Sequence, residues 1–127
     1  MTLQKIQEGI YMDVDAKKQL KSIDSIIFDC DGVLIDITES YDLAIKKTVE
    51  YVLKEFEGIH ESIPINSSII DGFKATGGFN DEVDLAYAAI LSIVAANNLN
   101  EDQLDFIFRV IENSNETGIK SVERYLT

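Results

Sequence analysis

The chain changes its hydrophobic rhythm at about residue 38. Before that point Ile26, Ile27 and Phe28 form a short unbroken apolar run that ends in Asp29. Such a run suits a buried strand, expected over residues 23–30. After it the period becomes helical. Tyr41, Ala44, Ile45, Thr48, Val49, Val52, Leu53 and Phe56 share one face, and Asp42, Lys46, Lys47, Glu50 and Lys54 the other. Thr38 or Ser40 is the expected cap of that helix and Gly58 its stop. A linker over residues 59–66 contains Pro64, and a short helix over residues 67–75 follows, stopped by Gly77-Gly78.

The next helix is expected to run from a cap at Asn80 or Asp81 to Ala96, where Asn97-Asn98 breaks it. Val83, Ala86, Tyr87, Ala89, Ile90, Leu91, Val94 and Ala95 nearly encircle it, the pattern of a central bundle helix. Asn100 is the expected cap of a further helix, with Glu101 and Asp102 in its first turn and Leu104, Ile107, Phe108 and Ile111 as its buried stripe. A turn over residues 113–117 leads to a last short helix marked by Ile119, Val122 and Leu126. Residues 1–22 are mixed. Leu3, Ile6 and Ile10 fit a weak helical stripe, and Asp15 is placed to cap a short helix through Leu20, a strand-plus-helix lead-in. Tyr87, Phe106 and Phe108 read as core, and His60 as surface.

One strand is not a sheet. The helices after Thr38 can bury one another, but a buried strand needs hydrogen-bond partners on both sides. This strand also delivers two acids, Asp29 and Asp31, to its carboxyl end, followed by Gly32, which allows a sharp turn. Paired carboxylates in a buried place are costly without a cation or a shared proton, and ligands of open α/β sheets gather at that end. A solvated turn is the plain alternative. A calcium loop is excluded, because it wants acids at its first, third and fifth positions and glycine at its sixth, whereas Val33 holds the fifth and Gly32 the fourth.

The stretch Asp29-Cys30-Asp31-Gly32-Val33-Leu34-Ile35-Asp36 after an apolar run resembles the first motif of the haloacid dehalogenase (HAD) superfamily of phosphohydrolases. Residues 72–84, Gly-Phe-Lys-Ala-Thr-Gly-Gly-Phe-Asn-Asp-Glu-Val-Asp, resemble a cap segment in phosphatase-like members whose helical cap follows that motif. The likeness covers residue 22 onward. It implies an α/β, Rossmann-like core of which this chain holds one strand, in a chain that is otherwise mostly α: residues 1–37 as partial core and residues 38–127 as a helical-bundle cap. It implies Asp29 as nucleophile forming an aspartyl-phosphate, Asp31 as general acid and base, and Mg²⁺ on the Asp29 carboxylate and the Asp31 carbonyl. Gly32 would keep the backbone close to the bound group. Lys74, Asn80 and Asp84 are the cap residues expected to face substrate, a small phosphorylated metabolite. The family's later Ser or Thr, Lys and further acids have no counterpart after the cap, so the chain alone is expected to be inactive or weak. Asp36 is left between a hinge contact and a helix cap.

Charge narrows the partners. Eleven basic residues against 23 acidic give a net charge of −12, which argues against nucleic acid or an anionic membrane as partner. Cys30 is the only cysteine; it allows no intrachain disulfide, suits a reducing, cytoplasmic setting, and reads as a packing residue. No apolar run approaches the ~20 residues of a membrane span. A second reading stays open: a non-catalytic helical protein that self-associates or binds a partner and keeps a relict motif. In either case a homo-oligomer or a complementing core chain is the expected way to pair the strand. A natural short protein and a fragment are both compatible with the sequence.

Overall fold

The structure, a computed structural model, describes residues 2–127. Their contacts divide them into two units, one reaching Asp36 and the other Ile37–Thr127.

In the first unit β1 (Leu3–Gln7) pairs antiparallel with β2 (Ile10–Asp13), with Leu3 opposite Asp13 and Gln7 opposite Ile10. Gly9 takes φ 76° in the turn, a conformation few other residues adopt cheaply. The helical stripe of Leu3, Ile6 and Ile10 is therefore not formed; the Glu8-Gly9 turn folds those residues into a hairpin. The short helix α1 (Val14–Gln19) follows directly and ends in a single 3-10 turn, Leu20–Ser22. Its cap is Asp13, not Asp15. Asp13 Oδ1 accepts the N–H groups of Asp15 (2.9 Å) and Ala16 (3.3 Å), and Oδ2 accepts that of Thr2 (3.0 Å). One carboxylate thus closes both the hairpin and the helix.

The strand expected over residues 23–30 is absent. That stretch is irregular and exposed, with Ile26 at 74%, Ile27 at 95% and Phe28 at 62% exposure. The reason is hydrogen bonding. The hairpin is the only sheet among the described residues and neither of its strands pairs with this stretch, so its N–H and C=O groups have no strand partner there.

The second unit is helical: α2 (Thr38–Glu55), α3 (Ser67–Ala75), α4 (Glu82–Leu99), α5 (Gln103–Glu112) and α6 (Ile119–Leu126). Helix α4 packs against α2, α5 and α6, while α3 packs against α5. Its buried residues, Leu85, Ala86, Ala88, Ala89, Ser92, Ile93 and Ala96, lie on one face, while Val83 and Tyr87 on the other side stay exposed, so the helix is not encircled as its all-round apolar pattern implies. By length and composition alone α4 could cross a membrane, and 39% of that stretch is buried against the other helices. The small side chains let neighbouring helices approach, and buried Ser92 satisfies its hydroxyl on the Ala88 carbonyl at 2.7 Å. Ile45, Val49 and Leu53 of α2, Ile69, Ile70 and Phe73 of α3, Phe106, Ile107 and Val110 of α5, and Val122 of α6 complete the core.

Several boundaries move. Helix α2 starts at Thr38 itself, with Ile37 at the cap position and no side-chain cap bond. Asn97-Asn98 does not break α4, which runs to Leu99 and closes on Asn100 in the left-handed conformation, φ 56°. Asn100 thus ends one helix, and Asp102 begins the next by accepting the Asp105 N–H at 2.9 Å. The buried stripe of α5 is rotated relative to expectation, since Leu104 and Phe108 remain exposed while Phe106 and Val110 go in. Arg109 explains part of this, because it lies over the Phe106 ring at 5.1 Å and pairs with Glu101. The linker before α3 is tied to α5 through Gln103, which accepts the Ile63 N–H (2.8 Å) and donates to the Glu61 carbonyl (3.2 Å).

The corner between α3 and α4 is tightly packed. Phe79 stacks edge-on against Phe73 at 4.9 Å, both fully buried. A Cβ on Gly78 would lie 2.4 Å from the Asn115 carbonyl oxygen, and one on Gly118 would lie 2.4 Å from that of Gly78. Gly78 is therefore a backbone-to-backbone contact, whereas Gly77, with φ 83°, serves the turn that ends α3.

Two outcomes follow from this packing. In urea unfolding, Gly78→Ala should cost about 1–3 kcal/mol through overpacking, and Ile93→Ala about 2–5 kcal/mol through the cavity it leaves; Gly78→Ala at wild-type stability would show that the contact is not made. The backbone N–H groups of Ala16, Asp15 and Thr2 hold the Asp13 carboxyl below the usual carboxylate range. Because the folded form is the more acidic, its contribution is present above the ordinary value and lost as pH falls through the depressed one. A carboxyl-carbon NMR titration should show Asp13 protonating at lower pH than the exposed acids.

Candidate functional site

The motif residues sit in a closed turn. The Leu34 and Ile35 N–H groups both donate to the Cys30 carbonyl, at 2.9 and 3.0 Å, and the Gly32 N–H donates to the Ile35 carbonyl at 2.9 Å. Asp31 and Ile35 are thereby bridged. Gly32 takes φ 74°, and a Cβ there would meet nothing within 4 Å. Glycine serves the left-handed turn here, not a close approach of neighbouring atoms.

Asp29 and Asp31 flank the entry to this turn, both exposed. Asp29 Oδ1 accepts the N–H of Cys30 at 2.8 Å, a short local bond. Cys30 is exposed, which corrects its reading as a packing residue. The two acids are hard oxygen donors of the kind Mg²⁺ takes. As a ligand set they are short in number, because no group of three His, Cys, Asp or Glu side chains comes together among the described residues.

The cap candidates lie on the α3–α4 corner. Lys74 is exposed in the last turn of α3, Asn80 is exposed before α4, and Asp84 is half-buried in the first turn of α4. Asp81, not Asn80, caps α4, its Oδ1 accepting the Val83 N–H at 2.8 Å, so the Asn80 side chain is not used as a cap. The corner that carries these residues is held by Phe79 beneath it.

One feature is not legible in the sequence. A groove of about 320 Å³ lies between α2 and α4, lined by Ala44, Ile45, Thr48, Val83, Tyr87 and Ile90 among others. Tyr87, expected in the core, is 41% exposed at its edge, and Val83 74%. A signal is present all the same: Val83, Tyr87 and Ile90 recur at four- and three-residue spacing on one side of α4. An all-round apolar helix gives no way to tell which side stays open.

Cys30 reports on the motif turn directly. In the native chain it should react with iodoacetamide within about a few-fold of the rate of a free cysteine in a peptide. Strong protection of the thiol without denaturant would show that the turn is covered. No family model, no curated protein and no solved structure matches the chain.

Proposed function

We propose that residues 1–127 are the nucleophile-motif and cap part of a Mg²⁺-dependent, HAD-like phosphatase acting on a small phosphomonoester in the cytoplasm, with the rest of an α/β core supplied by residues outside this range or by a second chain. The observation that carries the reading is the motif Asp29-Cys30-Asp31-Gly32-Val33 directly behind an apolar run, closed into a turn that presents both acids.

In this reading Asp29 Oδ2 attacks phosphorus. The alcohol leaves with a proton from Asp31, and an aspartyl-phosphate remains. Asp31, now ionised, takes a proton from water as that water attacks phosphorus. The Asp29 carboxylate and inorganic phosphate are released, and Asp31 is protonated again. Mg²⁺ supplies charge neutralisation when bound, on Asp29, the Asp31 carbonyl and at least one acid from the completing core. Lys74, Asn80 and Asp84 bind the substrate's leaving portion from the cap. Without the completing core most of the electrostatic stabilisation of the transition state is missing, and such stabilisation usually contributes more to catalysis than any other effect. The chain alone then has little or no activity.

The deciding measurement is hydrolysis of p-nitrophenyl phosphate and a panel of phosphomonoesters with Mg²⁺, by the chain alone and with the polypeptide encoded downstream. Activity should appear only in the mixture. Asp29→Asn should lower it at least about a thousandfold, as loss of a nucleophile does, and Asp31→Asn by about 10²–10⁴-fold. A mixture without activity, or one in which Asp29→Asn changes nothing, overturns the reading.

A further inference from the structure

Residues 24–28 are open in two senses at once. Their side chains are exposed, and among the described residues none of their backbone groups bonds to another backbone group. Ile26 and Ile27 are adjacent, so in an extended chain they point to opposite faces. Both faces are therefore apolar, the mark of a strand that is covered on each side. Ile23, Ile26, Ile27, Phe28, Val33, Leu34 and Ile35 are all more than half exposed.

Charge decides what covers them. Two copies pairing antiparallel about Ile26 and Ile27 would set Asp24 of each against Asp29 of the other. Acid would face acid at both ends of the pair, between chains that each carry −12. A ribbon of two such strands also leaves both apolar faces open. A different protein can avoid both problems. We propose that residues 25–28 add as a strand to the open edge of a β-sheet in a partner protein, whose adjoining strand carries Lys or Arg where it meets Asp24 and Asp29. Main-chain hydrogen bonds give such an addition its affinity, and the flanking charges give it register. The pairing needs no phosphoryl chemistry: the backbone of residues 24–28 is open whatever Asp29 does.

The test uses the full ¹⁵N-labelled chain and amide hydrogen exchange. The probe is a designed three-stranded sheet with one open edge of alternating Thr and Val, made in two forms with Lys or with Glu at both ends of that edge. The Lys form should slow exchange at Ile26 or Ile27 at least about tenfold at low salt, and the effect should shrink toward about 1 M salt as the charges are screened. The Glu form should give little protection. Ile27→Pro, which removes the N–H, should abolish the effect and leave the amide spectrum of residues 37–127 unchanged. Equal protection by both forms overturns the proposal, as does protection by neither. Protection that rises with the chain's own concentration, without any probe, assigns the segment to a second copy and overturns it too. The readout contains no turnover, so it holds or fails separately from the phosphatase reading.

Discussion

A helix satisfies its own backbone and a strand does not, and the architecture of this chain turns on that difference. Residues 37–127 need only cover apolar side chains, which they do by laying α2, α5 and α6 around α4. The first unit pairs what it can locally, as the hairpin of β1 and β2, whose strands lie next to each other in sequence. Residues 24–28 have the side chains of a core strand and no neighbour. Hydrophobicity alone does not bury such a segment, because burial would strand its N–H and C=O groups away from water.

The same difference explains what was legible in the sequence. The helices were visible because their periodicity and caps are local: α3 falls on the expected residues, and Asp81 opens α4. Helix ends were less legible where two neighbouring polar residues compete. Asn100 and Asp102 both look like caps, and the left-handed preference of asparagine sends the first to close α4. Residues 23–30 have the side chains of a strand, and what they lack is a pairing partner among the described residues. The hairpin was hidden because Leu3, Ile6 and Ile10 mimic a helical stripe, and only Gly9 marks the turn between them.

Of the candidate site, the local turn is legible in the sequence and its surroundings are not. Asp29, Asp31 and Gly32 stand together on one hydrogen-bonded turn, as their spacing implies. Lys74, Asn80 and Asp84 share the α3–α4 corner because Phe79 anchors it. The groove between α2 and α4 depends on which side of α4 its neighbours leave open, a property of packing and not of any one helix.

The meeting of Gly78 and Gly118 has a consequence for how the helical unit comes apart. A terminal helix as short as α6 ordinarily frays independently of its neighbours. Here the residue that starts α6 touches backbone to backbone the corner between α3 and α4. Opening α6 therefore also breaks the contact that holds Gly78, the residue before Phe79. The contact joins distant parts of the sequence at a loop-closure cost that grows only slowly with length. It makes α6 part of one cooperative unit with α3 and α4, so that α6 is lost with the core and not before it.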